Sequence, residues 1–375
     1  MPHPKLTCFS TLRHHPAGNL RHQRGMTLVE WMVSMTVGLI LLAGLTTLIA
    51  QQSSTQAELE KSSRQIENGR YAMQLLNEDI QMAGYYGEFS NVAGLAAPGV
   101  LPDPCLKTIV GIEPAMPFQV QGYDSPATTS LLLACINSND HVPGTDILVV
   151  RRVSSADSDT VTPAVAASAA GGQIYLQSGL TLPGLEFTKK MATGATTSEF
   201  TLLNKDGVTL ASLRKFLVRI YFVSPCSVPS GSNCSNAADG GKPIPTLKML
   251  ELSAAGNTTT MITTPLVEGI ENMQIDYGID TTGDGAPDGQ YVATTAAVAD
   301  WANLVALRVH LLARSTESSA GYLDPKTSSL GYDSAAAAQT VTPATDAYGN
   351  NVRSYKRRLF SQLIRVVNPS SRRDQ

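Results

Sequence analysis

The longest apolar pattern in the chain lies near its amino terminus. From Met26 to Ala50 nearly every residue is apolar, Gly, Ser or Thr, and Glu30 is the only charged residue between Met26 and Ala57. An α-helix rises about 1.5 Å per residue, so this stretch would span about 37 Å, more than the roughly 30 Å hydrocarbon core of a bilayer. The pattern predicts a transmembrane helix over about 26–50.

The helix is predicted to continue as an amphipathic one. Apolar or small residues recur every seven positions in two rows, Leu59, Ile66, Met73 and Ile80, then Ser62, Gly69, Leu76 and Ala83. Gly84 and Gly87 end the pattern, as helix stop signals do. We expect one long helix over 26–83 whose second half packs on a domain. The alternative, a coiled-coil dimer, is disfavoured because Ser62 and Gly69 interrupt the apolar seam, and Gly69 also permits a bend.

Beyond Gly84, short apolar runs between Pro, Gly, Ser and Thr predict β-strands. The predicted strands are 145–153, 173–177, 215–223, 247–252, 273–279, 305–311 and 359–367. Strict alternation makes 273–279 a half-exposed strand and turns His310 towards solvent. Segments Ser154–Gly172 and Ser334–Asn350 hold few large apolar residues and are expected to be long mobile loops. The fold class is α+β, with a mainly antiparallel β head over 84–375 packed on the helix.

Composition offers little catalytic chemistry. Charged residues make up 16% of the 375 residues and the net charge is -3, so no nucleic-acid partner is expected. Four of the six histidines lie in the first 25 residues, which leaves His141 and His310 as too few for a zinc site. Neither a G-x-S-x-G elbow nor a phosphate-binding glycine motif is present. We therefore predict that the protein is not an enzyme.

The flank of the apolar segment sets its orientation. Residues 1–25 contain four basic residues and no acid, so the amino terminus is expected in the cytoplasm and the rest outside. A cleaved secretory signal would need a shorter apolar run and a small-residue cleavage site, which Gln51–Thr55 does not offer. A plain signal anchor does not explain Glu30, because an intramembrane acid costs roughly 2.5–3.5 kcal/mol at a helix centre.

A third interpretation explains this acid. The segment from Arg24 to Glu30 reads RGMTLVE and resembles the class III signal of type IV pilins. The resemblance implies that prepilin peptidase removes residues 1–25 as a leader by cutting after Gly25, that the Met26 amine is then methylated, and that Glu30 is the fifth mature residue. Met26 departs from the usual Phe, although other apolar residues are tolerated there.

Glu30 is predicted to act in assembly. A free amine at Met26 and a carboxylate at Glu30 are opposite charges on one helix end, so neighbouring subunits can neutralise each other in a low-dielectric filament core. The protein would be single-pass in the inner membrane with a periplasmic head before assembly, and part of a cell-surface pilus after it.

Three further segments narrow the family. The residues Gly144–Arg151, Glu268–Asp280 and Tyr355–Ser361 resemble the PilW family of minor pilins. This resemblance implies a place at or near the pilus tip and a role in priming assembly, with the other minor and major pilins and the inner-membrane assembly platform as partners. A tip adhesin is a further candidate partner, and the pilus would serve twitching motility or adhesion. Two alternatives stay open, a type II secretion pseudopilin and, less favoured, a membrane-anchored periplasmic enzyme.

Four cysteines remain if the leader, which contains Cys8, is removed. They are Cys105, Cys135, Cys226 and Cys234, and they allow three disulfide connectivities. Export to the periplasm favours disulfides over the alternative of free buried thiols. The short loop between Cys226 and Cys234 closes easily, so we expect that pair and, by remainder, Cys105 with Cys135.

An acidic loop follows the predicted strand 273–279. Side chains at positions 1, 3, 5 and 9 of an EF-type calcium loop would be Asp280, Thr282, Asp284 and Asp288, with Gly285 at the sharp turn. Position 12 is Tyr291, where a bidentate Glu is usual, and no helices flank the loop. Calcium is therefore a candidate ligand, and an ordinary hairpin turn is the alternative. No other cofactor is expected.

Overall fold

The computed structural model describes residues 25–92, 94–124, 133–155, 171–181, 186–194, 199–332 and 337–373. The predicted leader up to Arg24, with Cys8, lies outside the described residues, as does 156–170 of the predicted loop Ser154–Gly172. The chain divides into two units between Ala57 and Glu58. This division places the last part of the long helix with the head, whereas the sequence suggested a boundary after Ala83.

One long helix dominates the amino-terminal part. Helix α1 runs over Leu28–Gln81, 54 residues, so it is two residues shorter at each end than the predicted 26–83. It ends before Gly84, whose φ of 73° is a left-handed conformation that glycine adopts without steric cost. The remaining helices are short: α2 (Ile109–Ile112), α3 (Ala238–Gly241) and α4 (Val367–Arg373), with 3₁₀ turns at Glu113–Ala115, Ser138–Asp140 and Val298–Asn303.

The head is built from antiparallel strands. They are β1 (Val120–Tyr123), β2 (Ile147–Val153), β3 (Ile174–Leu180), β4 (Phe187–Thr193), β5 (Leu213–Ser224), β6 (Thr246–Ala255), β7 (Thr258–Glu268), β8 (Ile270–Ile279), β9 (Leu304–Arg314), β10 (Ser328–Tyr332), β11 (Ala338–Val341) and β12 (Arg357–Arg365). Strands β1–β7 form one sheet around β5, which pairs with β2, β3 and β6. Strands β12, β9 and β8 form a second sheet in that order, and β10 pairs with β11. The α+β prediction is confirmed.

Side chains on the two faces of the large sheet build two cores. Leu148 and Tyr221 turn towards α1 and join a core that α1 shares with β8, β9 and β12. Val149 and Phe222 turn the opposite way, into a second core that includes Tyr86. Because both faces are covered, β2 is buried along nearly its whole length, as its continuous apolar run predicts.

The stripe predicted on the second half of α1 is largely confirmed. Met73, Leu76 and Ile80 are buried against the head, but Leu59 is 66% exposed and does not contribute. Gly69 is buried because it faces the Phe360 ring on β12, where an added Cβ would overlap the ring atoms. Close packing of the ring, rather than a bend in the helix, explains this glycine.

Four predictions about the second sheet and its cover are wrong. Strand β8 is buried on both faces over 273–278 rather than half-exposed. His310 is only 7% exposed, because β10 covers the face on which it was expected to meet solvent. The predicted loop Ser334–Asn350 contains strand β11, and the last strand ends at Arg365 rather than Val367.

Candidate assembly segment and its anchor in the head

The start of helix α1 is capped by a side chain. Residues 25–27 are not helical, and the Thr27 carbonyl accepts the first helical hydrogen bond, from Trp31 N at 3.1 Å. The Thr27 hydroxyl accepts a second bond from Glu30 N at 3.3 Å. Thr27 is therefore the N-cap, and the pair Thr27–Glu30 has the spacing of a capping box. This cap was not predicted, and the T-x-x-E spacing in the sequence is the signal that indicates it.

This cap places Gly25, Met26 and Glu30 in defined positions. Met26 directly precedes the N-cap, so a cut after Gly25 would leave the new amine two residues before the helix begins at Leu28. Glu30 lies in the first turn, where the positive end of the helix dipole stabilises a carboxylate by roughly 0.3–1 kcal/mol. Within the described residues no ion pair involves the Glu30 carboxylate, which leaves it available to a partner.

The first half of α1 presents an apolar surface on every side. All of its large side chains from Met26 to Ile49 are exposed, including Trp31 and Leu45. Among the described residues, α1 is the one helix long and apolar enough to cross a membrane. Its hydroxyl side chains bond to carbonyls of the helix itself, as Ser34 does to Glu30 O at 2.7 Å, so they expose little polar surface.

A buried carboxylate fixes the end of α1 to the large sheet. Asp79 is 3% exposed, and its Oδ1 accepts from Arg152 Nε at 2.6 Å and from Arg219 Nη1 at 2.8 Å. Its Oδ2 accepts from the Tyr221 hydroxyl at 2.8 Å. Burial and the nearby carboxylate raise the pKa of Tyr221 well above its usual value, so this hydroxyl stays a donor. The Asp79 cluster, meaning Asp79 with Arg152, Arg219 and Tyr221, was not predicted from sequence.

A second set of contacts ties the earlier turns of the same helix to the second sheet. Glu58 accepts from Lys356 Nζ at 2.5 Å and from the Ser319 hydroxyl at 2.6 Å. These hydrogen bonds lower the pKa of Glu58 to about 2. Gln65 donates to the carbonyls of Ala313 and Lys356, at 2.7 and 2.9 Å. Residues 58–81 of α1 are therefore an integral part of the head.

Both preferred disulfides are present. Cys105 bonds to Cys135 with a Cα–Cα distance of 5.5 Å, and Cys226 bonds to Cys234 with a Cα–Cα distance of 5.7 Å. The pairing agrees with the short-loop argument, and the Cα separations lie in the ordinary disulfide range.

The acidic loop uses its carboxylates on its own backbone. Asp280 is fully buried and accepts from Gly283 N at 2.5 Å and Gly285 N at 2.9 Å. The pKa of Asp288 is lowered by hydrogen bonds to its Oδ2 from the Thr281 hydroxyl, at 2.9 Å, and from Thr281 N and Thr282 N, at 2.7 and 2.9 Å. In the part of the chain that is described, no three His, Cys, Asp or Glu side chains come close enough to hold a metal. The calcium site at Asp280, Thr282, Asp284 and Asp288 stays a prediction, as does its hairpin-turn alternative, in which these hydrogen bonds would hold the loop.

Three strands bring together a serine, a histidine and an aspartate that sequence analysis did not connect. His310 Nδ1 lies 2.8 Å from Ser361 Oγ, and His310 Nε2 lies 3.2 Å from Asp276 Oδ2. Ser361 is directly opposite His310 in the β9–β12 register. Asp276 also accepts from Tyr332 N at 3.0 Å, so β10 closes over the row. These hydrogen bonds join β8, β9, β10 and β12, and we assign the row to holding the strands together.

Two family models match parts of the chain. Residues 20–46 match the Prokaryotic N-terminal methylation motif, which includes Gly25, Met26 and Glu30. Residues 231–368, just over a third of the chain, match PilW, described as Type IV Pilus-assembly protein W.

These matches confirm the resemblance seen in the sequence. The segments Glu268–Asp280 and Tyr355–Ser361 lie inside the PilW match, whereas Gly144–Arg151 lies outside it. Together the matches support a type IV pilus-related pilin, a class of membrane-anchored structural components that interact with other pilus components. No curated protein and no solved structure gives a significant match to the chain.

Proposed function

We propose that this chain is a minor pilin that primes assembly of a type IV pilus and is incorporated at or near its tip. The observation that carries the proposal is the start of α1, where a threonine-capped apolar helix begins two residues after Met26 and holds Glu30 in its first turn. The match of residues 231–368 to PilW supports the type IV pilus over a type II secretion system, for which a pseudopilin would share Gly25, Glu30 and the long helix.

The proposed life of the protein has two stages. It is first a single-pass protein of the inner membrane with a periplasmic head, and prepilin peptidase cuts it between Gly25 and Met26. The Met26 amine is then methylated, and the assembly platform moves the subunit into a surface pilus with the other minor pilins and the major pilin. Such a pilus would serve twitching motility or adhesion, and a tip adhesin is a candidate partner.

The decisive experiment is mass spectrometry of the mature amino terminus in sheared pili. We expect a peptide that begins with a methylated Met26, and we expect the variant Gly25→Ala to stay uncut and absent from pili. Gly38→Ala is the matched control, because an added Cβ meets nothing within 4 Å at either Gly25 or Gly38. Recovery of residues 20–30 as one intact peptide from assembled pili would exclude the proposed processing.

The place of the protein in the cell is tested separately. Deleting the gene should reduce the number of surface pili while leaving protein secretion unchanged, and antibodies to the head should label pilus ends. The reverse outcome, normal pili with a secretion defect, would favour the pseudopilin. An anchored periplasmic enzyme predicts neither phenotype.

A further inference from the structure

Strand β12 has one unpaired edge. It pairs with β9 along all of Arg357–Arg365, and no other strand in the described parts of the chain pairs with its outer side. With nine residues it is longer than the usual strand of about five or six. A long open edge presents backbone donors and acceptors to which another strand can add.

The register identifies which backbone groups point outward. Val366 N donates to Val305 O at 2.8 Å, and Ser315 N donates to Lys356 O at 2.9 Å. In an antiparallel pair the hydrogen-bonded residues alternate, so even-numbered residues of β12 bond to β9. Leu359, Ser361 and Leu363 therefore turn their N–H and C=O groups outward. Within the described residues none of these three N–H groups has an acceptor.

The outward edge borders a groove of matching length. Its other wall is the flank of α1 from Ser63 to Asn77, and Ser361 and Gln362 line the β12 side. Gln362 Nε2 donates to Asn77 Oδ1 at 3.2 Å and closes one end. Asn77 lies fourteen positions after Ser63, a helical rise of about 21 Å, which accommodates an extended segment of about six residues.

Side chains around the edge indicate what kind of strand fits. Leu359 and Leu363 are 37% and 57% exposed on one face of β12, so they offer apolar contacts to alternate side chains of an added strand. Arg70 lines the groove and Arg358 lies at the start of the edge. Both are exposed, and neither forms an ion pair with another described residue. Glu67 lines the same helix wall as Arg70, so Arg358 at the strand edge is the cation that favours a partner strand with a carboxylate.

A second copy of this chain fits less well. The sequence of β12, RRLFSQLIR, carries three arginines and no carboxylate. A second β12 strand could therefore not supply the carboxylate that Arg358 favours. We take the occupant to be a different chain.

We propose that β12 is a docking edge to which another pilus subunit adds an extended strand with a carboxylate near Arg358 and apolar side chains over Leu359 and Leu363. This inference rests on the proposed function, because it takes the partner from the same pilus. The added strand would supply acceptors to the outward N–H groups of Leu359, Ser361 and Leu363.

The test uses the full chain in pilus-producing cells, with Leu359 replaced by the photoreactive residue p-benzoylphenylalanine. After irradiation, mass spectrometry of sheared pili should find an adduct with an Asp- or Glu-containing segment of another pilus subunit. Leu363→Pro should lower the adduct by about tenfold, since it removes one outward N–H without touching a β9 bond. Leu363→Ala is the matched control, because it removes the same side chain and keeps the N–H.

Two further measurements keep the outcomes distinct. If the melting temperature of Leu363→Pro is lower than that of Leu363→Ala, the variants Arg358→Glu and Arg358→Lys are used in place of the Leu363 pair. Only Arg358→Glu, which reverses the charge, should then lower the adduct. Immunoblots measure the amount of the chain in sheared pili. If the unsubstituted chain is absent from pili, both the proposed function and the docking edge are overturned. If the chain is present in pili, three results would overturn the docking edge alone. These are no adduct, an adduct only to a second copy of the chain, and an adduct that neither variant lowers.

Discussion

Glu30 is the residue on which assembly is expected to depend. It is the only charge between Met26 and Ala57, it lies at the capped start of α1, and it has no ionic partner among the described residues. An acid in an apolar segment is unfavourable in the membrane and becomes favourable once an amine lies beside it.

The first prediction is that Glu30→Ala inserts normally in the membrane but enters pili poorly. The substitution removes the cost of a charge in an apolar environment, and it also removes the counter-charge for a neighbouring Met26 amine. Quantitative immunoblots of membranes and sheared pili measure the two effects. Glu60→Ala, an exposed acid of the same helix, is the control and should enter pili normally. Wild-type abundance of Glu30→Ala in pili would contradict the assigned role.

The second prediction concerns the acidic loop. Because Asp280 and Asp288 already bond to backbone N–H groups, we expect the mature chain in detergent to melt at the same temperature with calcium or with chelator. Asp284→Ala should change stability only slightly, since Asp284 accepts from Ala286 N at an exposed turn. Thermal melts of both proteins decide the matter. A calcium-induced gain, about 2.7 kcal/mol at 100 times the dissociation constant, that Asp284→Ala abolishes would establish the calcium site instead.

At the scale of elements, α1 is fastened to the head by polar as well as apolar contacts. Heptad periodicity identified the apolar stripe but could not reveal Asp79, because its partners Arg152, Arg219 and Tyr221 come from β2 and β5. The third prediction is that Asp79→Ala lowers the free energy of unfolding by roughly 1.5–3 kcal/mol, since the half-buried Arg152 loses its carboxylate partner and the Tyr221 hydroxyl loses its acceptor, while Arg219 keeps Glu251.

Denaturant unfolding of the mature chain measures the loss. Glu78→Ala is the matched control, because Glu78 is the exposed neighbour of Asp79 on the same helix, and its effect should stay within about 0.5 kcal/mol. Equal losses for the two variants would mean that the cluster contributes little to stability.

The sequence predicted strands where periodicity was strong and missed them where it was weak. Strands β2, β5 and β9 carry continuous or strictly alternating apolar residues, and all three were found. Strand β7 was missed because it is a threonine-rich edge strand with Pro265 beside a register shift. His310 was misplaced because its surroundings depend on Asp276, Ser361 and the cover by β10, which no local pattern encodes.

At the scale of the whole molecule, two disulfides secure parts of the head that have little regular structure. Cys105–Cys135 closes a separation of 30 residues, and Cys226–Cys234 closes one of 8. In the chain-entropy description, the longer loop gives the larger stabilisation of the folded state.

The fourth prediction is a difference between these two bonds. Replacing Cys105 and Cys135 together by Ala should cost about 3–4 kcal/mol, and replacing Cys226 and Cys234 should cost about 2–3 kcal/mol. Denaturant unfolding under non-reducing conditions measures both. If each double variant has the same free energy of unfolding as the oxidised wild type, the disulfides form without stabilising the head.

The contact between Gly69 and Phe360 has a consequence for the order in which the chain is completed. The ribosome synthesises Gly69 long before Phe360. Gln65 is likewise synthesised long before its hydrogen-bond acceptors, the carbonyls of Ala313 and Lys356. The stripe on α1 thus stays partly uncovered during most of synthesis and export. A chain truncated before β12 would keep its amino-terminal helix but lack Phe360, which covers Gly69. We expect such a truncated subunit to reach the membrane and to be degraded more readily by proteases.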